Sequence, residues 1–185
     1  MQQPQPHRYT VNDYHRMGET GILPAGARVE LIEGEIIDMT PIGSRHAGVV
    51  NRLNSVFSAT LRGVAVVTVQ NPVVLDERSE PQPDLALLRY RSDFYADAHP
   101  QAGDVLLIVE VADATLEYDR DIKLPLYARA GVTEVWLVDI AGKRVSTYRT
   151  PQSGRYMEKR VLTNLDSVEV ATLPGQSFDL SDLFQ

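Results

Sequence analysis

The stretch Asp104-Val-Leu-Leu-Ile-Val-Glu-Val-Ala112 constrains the fold more than any other part of this chain. Its unbroken apolar run, with Val and Ile prominent, predicts a strand covered on both faces, as in the parallel part of an α/β sheet. Glu110 is set into that run. Desolvating an ionised carboxylate costs several kcal/mol even after relaxation. The fold must therefore give Glu110 a cation, a metal or a set of donors, or leave it at the strand's exposed end. Two other features offer parts of such a site: Pro83-Asp84, opening an earlier apolar run, and Lys123, on the segment that follows.

The 185 residues suffice for one domain with a substantial core, expected over residues 10–185 after a disordered tail at residues 1–9. Apolar residues at 43% and charged residues at 23% place the chain among soluble globular proteins. The absence of Cys excludes a disulfide framework, a thiolate metal site and a cysteine nucleophile, and fits a reducing compartment. No apolar run approaches the roughly 18 residues needed to span a bilayer, so a cytoplasmic protein with no membrane partner is expected. A net charge of −7 argues against indiscriminate nucleic-acid binding, which is driven by phosphate neutralisation. It leaves room for a local basic face.

In chain order, Thr10 predicts the N-cap of a short helix through Met17. Arg28–Met39 reads as a hairpin turning at Glu33-Gly34. Its carboxylates Glu30, Glu33, Glu35 and Asp38 are expected on a solvated face. Residues 44–62 have helical spacing, with Val49, Val50, Leu53, Val56, Phe57 and Leu61 as the apolar stripe and His46 in the first turn. An imidazole there either caps the helix, meets solvent or faces a site. Residues 64–70, 72–76 and 85–88 are strand-like, and an acidic, aromatic loop runs to Pro100.

A second helix is predicted over Asp119–Ala130, closed by Gly131. Pro125 requires either a helix start near Asp121 or a kink. Lys123 and Tyr127, four apart, share a face. Val132–Asp139 is another strand, so Val105–Asp139 forms a βαβ unit with parallel strands. Arg144–Arg149 and Arg155–Leu162 form an antiparallel meander whose exposed edges predict a homodimer.

Taken alone, Pro83-Asp84 is ordinary turn chemistry, and Lys123 could form an exposed i,i+4 pair with Asp119. Together, two carboxylates on neighbouring strand ends can hold a hard divalent cation, and a nearby ammonium can steady developing charge. Phosphodiester hydrolysis requires those parts.

Asp84 after Pro83, Glu110-Val111 closing an apolar strand, then Asp119, Lys123 and Tyr127, and Ala130-Gly-Val-Thr-Glu-Val-Trp-Leu-Val-Asp139 resemble the Uma-type restriction endonuclease family of the PD-(D/E)XK nuclease superfamily. The likeness extends from Glu30-Leu-Ile-Glu-Gly-Glu35 through His46 to Leu173-Pro-Gly and Phe178-Asp-Leu-Ser-Asp-Leu-Phe184. It implies a restriction-endonuclease-like mixed central β-sheet flanked by helices, to which the C-terminal meander belongs. It implies an endonuclease hydrolysing phosphodiester bonds in DNA, with Mg²⁺ or Mn²⁺ held by Asp84 and Glu110. Lys123 would be the catalytic lysine, supported by Glu30, His46, Asp119 and Tyr127. The superfamily's usual lysine position, two residues after the strand acid, is Ala112 here, so the resemblance moves that role to Lys123. Asp113 departs from the family's usual serine and adds a carboxylate beside the site. The alternatives are a non-catalytic binding or assembly protein that keeps the fold, and hydrolysis of some other phosphoester.

Overall fold

The computed structural model describes residues 6–185; the first five residues of the expected tail lie outside the described residues. Arg8 and Tyr9, also placed in that tail, lie against the first hairpin: Tyr9 N–H donates to Gly34 O at 2.9 Å. Helix α1 (Val11–Glu19) starts with a capping box, in which Thr10 and Asp13 each accept from the other's backbone N–H. Strands β1 (Val29–Ile32) and β2 (Glu35–Asp38) pair antiparallel. Glu33 and Gly34 close them with φ of 50° and 80°. Two successive left-handed residues are what a two-residue type I′ hairpin needs. Gly34 is required twice over, because a Cβ there would come within 2.8 Å of Arg8 Cβ.

Helix α2 (Ser44–Thr60) follows the predicted apolar stripe and buries Val49, Val50, Leu53 and Phe57. Then come β3 (Ala65–Val69), β4 (Leu85–Arg89) and β5 (Val105–Ala112). The crossover from β5 consists of α3 (Leu116–Tyr118), a π-helical turn at Asp119–Lys123 and α4 (Leu124–Arg129). Strands β6 (Glu134–Asp139), β7 (Arg144–Gln152) and β8 (Arg155–Val161) complete the sheet, and the short β9 (Val168–Glu169) and β10 (Ser177–Phe178) pair with each other.

The main sheet has six strands in the order β3-β4-β5-β6-β7-β8. Only β5 and β6 run parallel; the other neighbours are antiparallel. This is the expected mixed sheet with helices on its faces and an antiparallel meander at its C-terminal side. Every residue of β5 is buried, as its apolar run requires. Period-2 alternation sends Leu107, Val109 and Val111 to the face covered by α2 and the C-terminal segment, with Phe57, Phe178 and Trp136. Ile108 and Ala112 face the opposite layer, with Leu124 and Tyr127. Glu110 shares their parity and so points toward the crossover helix.

Two local expectations are corrected. Residues 72–76 form no strand; they make only the single bridges Val74–Gln101 and Asp76–Ser79. Gln70, at φ 52°, turns the chain away from β4, and Pro72 has no N–H to give to a ladder. The helix expected over residues 119–130 is not a plain α-helix: a π-helical turn at Asp119–Lys123 precedes α4. Leu124 N–H reaches back to Asp119 O, and this wide turn sets Pro125 inside the first turn of α4, where its missing donor is tolerated. No helix among the described residues is long and apolar enough to cross a membrane.

Candidate active site

Asp84 and Glu110 are brought together by strand register. Leu85 pairs with Val109 across β4 and β5, so the next step outward sets Asp84 opposite Glu110. The Asp84 carboxylate is fixed on several sides. Its Oδ2 accepts from Val111 N–H at 2.9 Å and meets His46 Nε2 at 3.0 Å, while Oδ1 accepts from Gln70 Nε2 at 3.2 Å. His46 thus faces the site from the first turn of α2. Its pKa is raised, chiefly by the hydrogen bond to Asp84, with burial opposing and Asp113 and Asp119 adding to the rise.

Glu110, 3% exposed, receives the Tyr127 hydroxyl at 2.5 Å and the Lys123 ammonium at 3.3 Å, both on Oε1. Lys123 and Tyr127 therefore do share a face, and it is aimed at the strand acid. Lys123 also meets Glu30 Oε2 at 3.1 Å. This replaces two expectations. Lys123 is buried and its ion pairs are not the exposed i,i+4 pair with Asp119. Glu30 does not belong to a solvated face: it is 3% exposed and additionally accepts from Gln82 N–H at 3.2 Å. The other hairpin carboxylates are exposed, with Glu33 paired to Arg129 and Glu35 to Arg8.

The electrostatics follow from this crowding. Burial pushes the Glu110 carboxyl up to about 8, with Lys123 opposing the rise and Asp119 and Asp84 reinforcing it. Burial works against the Lys123 charge, yet Glu110, Glu30 and Asp119 outweigh it and hold the ammonium above the ordinary lysine range. Asp119 is also raised by burial, eased by Lys123 and by the Thr115 hydroxyl at 2.7 Å. Carboxyl groups outnumber cations here. A hard divalent ion is the charge such a set of oxygen donors lacks.

These groups border a cleft of about 620 Å³ whose walls include Glu30, His46, Gln70, Gln82, Asp84, Glu110, Asp119 and Lys123. Two buried polar atoms of its lining, His46 Nδ1 and the Tyr118 hydroxyl, have no hydrogen-bond partner among the described residues. Asp113 lies exposed on the rim. Sequence reasoning missed Gln70, Gln82, Thr115 and Tyr118. For Gln82 a signal existed: in an extended Pro-Gln-Pro-Asp segment, residues 82 and 84 lie on one side.

A mixed sheet whose central strands gather carboxylates and one lysine at a single cleft is the framework of a nuclease-like α/β protein. The family model Uma2, described as "Putative restriction endonuclease", matches residues 11–181, and the chain belongs to this family. In fold it is similar to a crystal structure described as "a putative nuclease belonging to DUF820" from Anabaena variabilis. That protein is 18% identical, with a TM-score of 0.72 over 95% of this chain and 97% of the other. Comparison with curated proteins gives no match.

Proposed function

We propose that this protein is a divalent-metal-dependent endonuclease that hydrolyses phosphodiester bonds in DNA. The observation that carries it is the buried Lys123 ammonium, held between Glu30 and Glu110 on the wall of the cleft that also contains Asp84. Asp84 and Glu110 would hold Mg²⁺ or Mn²⁺; an all-oxygen donor set fits such an ion, and so does a carboxyl raised by burial and, further, by the neighbouring Asp119 and Asp84. When bound, the ion supplies Lewis acidity at a phosphoryl oxygen and a more acidic water.

The chain's own residues do the rest. His46, Gln70 and the Val111 N–H fix the direction of Asp84. Tyr127 fixes Glu110. Glu30 holds Lys123, whose ammonium has three donors and, among the described residues, these two carboxylate partners, leaving one N–H for a phosphoryl oxygen as its charge grows. Water attacks phosphorus, the P–O bond to the leaving oxygen breaks, and that oxygen takes up a proton.

Single-turnover cleavage of a labelled duplex with Mn²⁺, wild type against Lys123→Met, tests this. Met keeps the apolar stem and removes the charge, and circular dichroism verifies folding. Loss of one such contact is expected to slow cleavage by on the order of 10² to 10³. Equal rates would remove the role given to Lys123. No cleavage by either protein on several DNA substrates would favour the non-catalytic alternative.

A further inference from the structure

His15, Glu80 and His99 lie outside the cleft and come from three separate segments: α1, the loop before β4 and the loop before β5. One ligating atom from each lies within 4.8 Å of the other two, the one such group of three among the described residues. His15 Nε2 and Glu80 Oε2 are 2.7 Å apart, and the His15 and His99 rings meet edge to face with centroids 5.9 Å apart. Glu80 is only 2% exposed, and His15 is the one side-chain partner of its carboxylate among the described residues. A simple His15–Glu80 ion pair would explain that contact but would give His99 no part.

We propose that His15, Glu80 and His99 bind a transition-metal ion of the zinc type. Two imidazoles and one carboxylate are a donor set suited to zinc and its neighbours, whereas Mg²⁺ and Ca²⁺ take oxygen ligands. Tetrahedral ligands at zinc distances stand about 3.3 Å apart. The His15–Glu80 contact has to open by only about half an ångström from 2.7 Å to reach that spacing, while His99 closes in. The backbones are already tethered. Glu80 is bridged to Leu31 of β1 in both directions, Val11 N–H at the start of α1 donates to Glu77 O, and Val74 N–H donates to Pro100 O beside His99. A hollow bordered by Tyr14, His15, Leu23, Val29 and His99 lies beside the two imidazoles and would give a fourth ligand such as water its way in. The ion ties α1 and both loops to β1, the strand that carries Glu30. The molecule then has two chemically distinct sites: an all-oxygen set in the cleft and a nitrogen-rich one behind the hairpin.

The test uses the full chain carrying Asp84→Asn and Glu110→Gln, so that neither the pair of carboxylates assigned to the cleft's metal nor cleavage enters the measurement. Calorimetry with Zn²⁺ is expected to give about one ion per chain, undisturbed by excess Mg²⁺, and Co²⁺ is expected to give the visible band of a low-coordinate site. His99→Ala changes an exposed side chain and should preserve the fold while weakening Zn²⁺ binding at least roughly 10-fold. Zn²⁺ should raise the melting temperature of the parent and not of the His99→Ala variant. Unchanged Zn²⁺ affinity in that variant, or displacement of Zn²⁺ by Mg²⁺, would overturn the proposal and leave a His15–Glu80 ion pair only. The nuclease reading stands or falls separately.

Discussion

Replacing Glu110 with Gln should make the metal-free protein more stable at alkaline pH, contrary to the usual effect of removing one partner of a buried ion pair. Burial raises the Glu110 carboxyl from its ordinary 4.5 to about 8 despite Lys123 at 3.3 Å. The folded state thus keeps a proton that the unfolded chain releases. Stability from this group is fully present below pH 4.5 and is lost as pH rises through about 8. Each unit in between is worth about 1.4 kcal/mol, so going from about pH 5 to about pH 8 removes on the order of 4 kcal/mol. Gln cannot ionise, and its amide oxygen still accepts from the Tyr127 hydroxyl and the Lys123 ammonium. Urea denaturation in EDTA across this range should show wild type falling away from Glu110→Gln as pH rises. Mg²⁺ should close the gap by acting on wild type alone. Parallel pH profiles would refute the reasoning, and a variant clearly less stable at pH 8 would make Glu110 a structural partner of Lys123.

Calorimetry with Mn²⁺ should show binding to wild type and its loss in Asp84→Asn and in Glu110→Gln; unchanged affinity in both would move the metal elsewhere. A homodimer is expected through β8, which pairs only with β7 and leaves its other edge free among the described residues. Pairing two copies antiparallel about a two-fold axis with Glu158 opposite Lys159 sets opposite charges together twice. Light scattering at micromolar concentration that shows only monomer would remove this expectation, and Lys159→Glu should dissociate any dimer.

The sheet was legible wherever the physics is local. Val105–Ala112 declared a doubly covered strand because few other structures bury eight such residues in a row. The Glu33-Gly34 turn was legible because the left-handed pair it needs favours Gly. The environment of Glu30 was not. One interleaved acidic residue in a hairpin looks like its neighbours until tertiary packing brings it Gln82 and Lys123, the latter 93 positions along the chain, which distinguish it from Glu33 and Glu35. His46 was equally ambiguous, since nothing in its own helix says that residue 84 ends a strand beside it. Residues 72–76 failed for a different reason: the left-handed Gln70 turns them away from β4, and their N–H groups go to Pro81, Pro100 and Ser79 in scattered single contacts instead of one ladder.

Placing the proposed catalytic lysine on the crossover helix has a physical basis in this fold. Glu110 and Ala112 alternate onto the same face of β5, so a lysine at residue 112 would also face the crossover helix. Ala112, however, is buried in the layer that holds Leu124 and Tyr127, and a long stem in its place would have to displace that packing. The small side chain lets α4 come close to the strand. That approach is what brings the Tyr127 hydroxyl to 2.5 Å and the Lys123 ammonium to 3.3 Å from the same carboxylate oxygen. The π-helical turn contributes as well. By inserting a wide turn between α3 and α4 it absorbs Pro125, and it buries Asp119 and Lys123 together on the site's side of the helix. Ala112 and Lys123 are therefore two halves of one solution, with a short residue on the strand making space for an ammonium delivered from above it.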